Sequence, residues 1–179
     1  MHDDAGLPQL VRLKIDEQLD RLGHLAGQIP SASVAGLDWR PPLPVGVRAL
    51  NLGELLHHLL DCVAGFVAVL QAAQPESGAD LAALRARLAA PLLTVADFED
   101  RLRNCKVVLF AGFAALTDED LGRALPTVFV PQGEAVLTLL LGNFEHLVHH
   151  KFQLFFYLKM MGVPLGTPDL YVLRGSLPG

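Results

Sequence analysis

The stretch from about Glu134 to Met161 constrains this chain more than any other: it contains no proline, and apolar residues cover nearly its whole helical circumference until Gly162 and Pro164 end it. A helix greasy on every face must sit at the centre of a fold or meet a partner. Three more long segments carry helical spacing. The first, about Leu7 to Gln28, places Leu10, Leu13, Leu19, Leu22 and Leu25 among charged residues. The second, about Asn51 to Gln74, has a stripe of Leu52, Leu56, Leu59, Val63, Phe66 and Leu70, with Asn51 as N-cap. The third, about Val95 to Leu116, opens on a capping box of Thr94 and Asp97.

Between these segments lie an irregular crossing from Ile29 to Gly46, which holds four of the twelve prolines and the only tryptophan, Trp39, and a second long connection. The latter contains a short helix in TDEDL and extended chain in TVFVPQG, while Asp80 to Leu88 forms an accessory helix after the second segment. No strand pattern and no internal repeat is visible, so the fold class is all-α: a single domain, 1–179, built as a four-helix bundle with long crossing connections. Residues 1–6 are expected to be a flexible tail and 171–179 an extended one.

Composition narrows the function. Hydrophobic residues make up 51% of the 179 and charged residues 18%, against about 25% in an average domain, and mean hydropathy is +0.37. A chain of this size buries roughly 70% of its unfolded surface, so it needs no metal to fold, and a metal would serve chemistry. The net charge of −5 and the absence of a basic cluster exclude a phosphate-binding footprint, so no nucleic-acid partner is expected. Glu54, Asp61, Lys106, Glu145 and Lys151 interrupt the greasy stretches, arguing against a membrane span. Cys62 and Cys105 fit no disulfide framework, and MHDDAG is not a secretion signal, which makes a cytoplasmic location the expectation.

Five of the seven histidines fall in two places, His57 and His58 on the second segment and His146, His149 and His150 on the fourth. His146 and His150 are one turn apart, separated by about 40° around the helix, so both imidazoles can reach one ion. His149 points about 60° to one side and would substitute only if His150 turned away. Asn143, Gln153 and Tyr157 extend the same polar stripe, which should line a wet pocket, because an unpartnered buried polar group costs roughly 1–3 kcal/mol. A histidine from the second segment can complete the set. His58 lies nearer the apolar stripe than His57, by a small angle, which leaves His57 as a solvated surface residue. Cys62, four residues after His58, either approaches the ion or serves as a small buried hydrophobe.

ELLHH at Glu54 to His58, followed by HLVHHKFQLFFYLKMMG at His146 to Gly162, resembles the DinB/YfiT-like family of candidate metalloenzymes. LDWRPP before the second segment, TDEDL after the third and PDLY near the C-terminus extend the resemblance from about Leu7 to Tyr171. It implies a four-helix bundle in which His58, His146 and His150 hold a divalent metal, commonly nickel or zinc. It also implies a homodimer and, where activity is known, thiol S-transfer with a low-molecular-weight thiol such as bacillithiol. Phe152 stands where such sequences often have glycine, and the segment from Gln74 to Pro91 is longer than usual, two departures that bear on pocket shape and substrate.

Three neutral imidazoles leave an ion its full charge and an open position, the pattern of a catalytic site. Such a centre could generate hydroxide from water or thiolate from a thiol, so the expectation is a metal-dependent transferase or hydrolase acting on a small molecule. Tyr157, Glu54 and Glu145 are the candidates for proton transfer or for supporting the ligands. The competing class is a non-catalytic dimeric bundle, a stress-response or small-ligand-binding protein whose histidines bind metal incidentally. The fourth segment and AGFAAL in the third are the places to look for a subunit interface.

Overall fold

The computed structural model describes residues 6–30, 36–76, 80–127 and 130–171. Of the two expected tails, all but Gly6 and Tyr171 lies outside the described residues. Four long helices form the bundle, α1 (Leu7–Gly27), α2 (Leu52–Ala73), α4 (Val95–Ala114) and α6 (Val136–Met160), with short helices α3 (Leu81–Leu88), α5 (Asp118–Gly122) and α7 (Thr167–Leu170) between and after them. The predicted starts follow the caps. Asn51 and Glu54 make a reciprocal capping box on α2, Thr94 caps α4, and Thr117 and Asp120 box α5; a cap of this kind contributes about 1 kcal/mol.

Around the bundle the order is α1, α4, α2, α6 and back to α1. Gly23 and Gly27 of α1 face Leu102 and Glu99 of α4, and Lys106 of α4 reaches Asp16 and Asp20, so α1 and α4 are antiparallel. His58 meets His146 while Gly65 meets Asn143, which makes α2 and α6 antiparallel as well. Lys151 of α6 bonds Gln18 of α1, and Leu140 and Ile15 line one groove a few turns earlier, so those two run parallel. The resulting winding is up, down, down, up. The long crossing before α2 and the connection through α5 both span diagonals, which is why neither could be a short turn.

Two expectations about packing change. The helix at the centre is α2, not α6. Leu52, Leu55, Leu56, Leu59, Leu60, Val63, Phe66, Val67 and Leu70 are all fully buried, each contributing roughly 1.5–3 kcal/mol by leaving water. By length and composition Leu52–Ala73 could also cross a membrane, since Glu54 and Asp61 both lie in its first half, but its apolar side chains pack against α4 and α6. By contrast α6 buries Val136, Leu140, Leu147, Leu154 and Leu158 and leaves Leu141, Phe152, Phe156 and Met160 exposed. The second change is a two-residue antiparallel ladder, Ala124 with Ala135 and Leu125 with Glu134, on either side of the expected extended segment. It is too short to leave a period-2 pattern in sequence.

Candidate metal centre

The phase set by the Asn51–Glu54 cap turns His58 toward α6, where His146 and His150 stand one turn apart. His58 Nε2 lies 3.0 Å from His146 Nε2, and one potential ligand atom from each of His58, His146 and His150 falls within 4.8 Å of the others. The ring centroids are 4.3 Å apart for His58 and His150, 4.7 Å for His146 and His150, and 5.1 Å for His58 and His146. Two imidazoles that each sit about 2.0–2.1 Å from a common ion have nitrogens about 3 Å apart, so the closest pair already matches a shared cation. The donor set suits zinc or nickel.

Electrostatics prepares the ligands. Burial, and then the charges of His150 and His146, lower the pKa of His58 below its ordinary value; burial, then His150 and His149, do the same for His146. That direction favours the neutral imidazole, the form a metal takes up. His150 is oriented from behind. Its Nδ1–H donates to Gln153 Oε1 at 2.9 Å, which leaves Nε2 as the ligand atom. Gln153 Nε2 donates to the Tyr157 hydroxyl at 2.9 Å, and that hydroxyl donates to the Leu50 carbonyl at 3.0 Å. Trp39 packs edge-on against Tyr157 at 5.3 Å between centroids, fixing the phenol between loop and helix. Because such outer partners set ring orientation and basicity, Gln153→Leu is expected to weaken zinc binding about 10–100-fold without unfolding the protein, as titration calorimetry beside a far-ultraviolet melt would show.

The other residues singled out in sequence take different places. His57 is not simply solvated: its Nε2 lies 2.9 Å from the Leu88 carbonyl and its Nδ1 3.3 Å from Asp61, so it pins the end of α3 to α2. His149 and Glu145 are exposed and stand outside the three-histidine group. Glu54 is occupied by the Asn51 N–H and by Arg40, and the Asn51 bond is the main reason its pKa falls. Cys62 is a buried hydrophobe whose thiol is pushed up to about 12 by burial. Asn143 packs on Gly65, where an added Cβ would lie 3.1 Å from Asn143 Oδ1.

Two hollows flank the histidines, one of about 500 Å³ reaching His58 and one of about 540 Å³ reaching His150, and Leu50 lines both. The second is walled by Gln153 and Tyr157 on α6 and by Leu43 and Arg48 on the loop before α2. Sequence reasoning missed that loop's part in the site. The one available signal was the proximity of LDWRPP to the α2 cap, which says nothing about which residues turn inward.

Comparison with known proteins bears on the fold. No family model matches the chain, and no curated protein does. The crystal structure of a DinB-like protein from Bacillus subtilis superposes with a TM-score of 0.61, covering 87% of this chain and 96% of that one at 20% identity. The chain has the DinB-like fold, an all-α bundle.

Proposed function

We propose that this DinB-like bundle is a metalloenzyme in which His58, His146 and His150 hold one divalent cation, Ni²⁺ or Zn²⁺, and that it catalyses thiol S-transfer to a small electrophile. The observation that carries this reading is the convergence of three imidazoles from two helices, one of them oriented by Gln153 and Tyr157, beside hollows large enough for small molecules. When bound, the ion would act as a Lewis acid that lowers the pKa of a water or thiol placed on it.

The chain's own residues supply the rest. Neutral imidazoles add no negative charge, so the cation's field is not weakened by its ligands. Gln153 and Tyr157 hold His150 in one orientation, while Leu50 and Trp39 put apolar surface around that hydrogen-bonded line. Transfer suits these side chains better than hydrolysis, which calls for a base beside the nucleophile. Of the two carboxylates considered for that role, Glu145 is in solvent, and Glu54, although it lines the hollow that reaches His58, is already engaged by the Asn51 N–H and by Arg40. A homodimer accompanies the reading, formed through the exposed α6 stripe of Leu141, Phe152, Phe156 and Met160.

The test begins with protein purified without a nickel matrix. Close to one divalent ion per chain is expected, together with metal-dependent thioether formation when an electrophile and a panel of small thiols are supplied. Loss of electrophile without thioether would replace transfer by hydrolysis. Well under one ion per chain, with no rise in melting temperature on adding Zn²⁺ or Ni²⁺, would overturn the metalloenzyme reading in favour of a non-catalytic bundle.

A further inference from the structure

The loop before α2 carries two arginines with different fates. Arg40 is committed, donating to the Ala49 carbonyl at 2.8 Å and pairing with Glu54 at 3.2 Å. Arg48 is exposed, lines the hollow that reaches His150, and makes no hydrogen bond or close ion pair among the described residues. No carboxylate lines that hollow, whereas Asp38, Glu54 and Asp61 line the one that reaches His58. Leu43, Leu50 and Met160 make much of the wall around Arg48 apolar.

The charge balance is one-sided. A divalent cation on three neutral imidazoles keeps its full charge, and a guanidinium stands at the same hollow, feeling Glu54 from a distance but hydrogen-bonded to no carboxylate among the described residues. Positive groups set in a low-dielectric wall concentrate anions, and a free guanidinium fork matches a carboxylate in geometry as well as in charge. The opposite hollow, with its three carboxylates, would repel the same group.

We propose that the hollow between residues 41–50 and the C-terminal half of α6 selects small organic anions, holding a ligand's carboxylate on Arg48 and its apolar body against Leu43, Leu50 and Met160 while its metal-binding atom faces the histidines. Arg48 is then a specificity-determining residue, not a ligand to the metal. The inference rests on the three-histidine reading and adds to it the charge class of the ligand.

Cobalt-loaded protein provides the test, because a thiolate on Co²⁺ gives a near-ultraviolet charge-transfer band that reports binding without turnover. Three probes of similar size are titrated, 3-mercaptopropionate, 2-mercaptoethanol and cysteamine, against the natural chain, Arg48→Gln and Arg48→Lys. Taking the ratio of variant to natural affinity for each probe cancels the differences in thiol acidity. Arg48→Gln should weaken 3-mercaptopropionate by roughly ten-fold, the lower end for a lost charge-assisted hydrogen bond, and leave 2-mercaptoethanol nearly unchanged. Cysteamine should bind the variant as well or better, and Arg48→Lys should recover part of the carboxylate preference, because it restores the charge without the fork. Cobalt binding with the same Arg48→Gln ratio for all three probes would overturn this inference alone. Failure of cobalt to bind would overturn the three-histidine reading and this inference with it.

Discussion

Replacing any one of His58, His146 and His150 by alanine is expected to lower zinc affinity more than 100-fold, beyond the roughly 10–100-fold that loss of an outer partner costs. Each variant keeps two imidazoles of a set packed at 4.3–5.1 Å, and among the described residues no further histidine belongs to that group. His149→Ala should keep the ion, because His149 is exposed beside the cluster without belonging to it. His57→Ala should also keep the ion while losing about 1 kcal/mol of stability, since it gives up the bond to the Leu88 carbonyl. Calorimetric zinc titration and a thermal melt on the same samples separate the two effects. At a hundred times its Kd, zinc adds about 2.7 kcal/mol to the natural chain, and this increment should vanish in the three ligand variants. Equal loss of zinc across all five variants would sink the residue assignment.

The second large effect lies on the other side of α6 and depends on pH. Lys151 is 2% exposed, donates to Gln18 Oε1 and to the Leu170 carbonyl, and has its pKa lowered from 10.5 to about 8, with burial the main cause. Between those two values the unfolded chain binds the proton and the folded chain does not, so the contribution of Lys151 to unfolding free energy rises with pH through that window. Below about pH 8 both states carry the charge, and the folded state bears its full cost of burial. A fall from 10.5 to about 8, at 1.36 kcal/mol per pH unit, corresponds to about 3 kcal/mol gained by pH 10.5. The buried thiols of Cys62 and Cys105, both pushed up to about 12, lower stability above about pH 9 in either chain, so in urea unfolding from pH 7 to 10.5, with chelator present, the Lys151 effect is read as the natural chain gaining about 3 kcal/mol relative to Lys151→Met. A Lys151→Met profile parallel to the natural one would assign the rise to other groups.

Sequence reasoning reached the bundle and the three imidazoles because both depend on local spacing. Caps at Asn51, Thr94 and Thr117 set helix starts, and a separation of four residues puts His146 and His150 on one face. What it missed depends on tertiary packing. In the sequence Lys151 is only a charge that interrupts a greasy stretch, and its burial is possible because Gln18 of α1 and the carbonyl before Tyr171 arrive from far along the chain. His57 gained a partner in Leu88, 31 residues away, which no helical wheel could indicate. The apolar circumference of α6 suggested a central helix, but a helix at a corner of the bundle can leave Phe152 and Phe156 facing outward, packed edge to face at 4.8 Å between centroids. Arg48 carries no periodic signal at all, since it lies in a proline-rich loop whose path is set by its two ends.

Those ends bear on how proteins of this build could diversify. Trp39 and Leu52 are joined by a backbone hydrogen bond of 2.9 Å, and Arg40 ties to the Ala49 carbonyl, so residues 41–48 leave and return at a closed neck. None of the three imidazoles comes from that stretch, yet Leu43 and Arg48, which line the hollow that reaches His150, do. The rim of the hollow and the histidine cluster are thus encoded in separable parts of the gene. A lineage can rewrite these few codons to accept a different molecule while the inherited centre goes on working, without rebuilding the bundle that holds it.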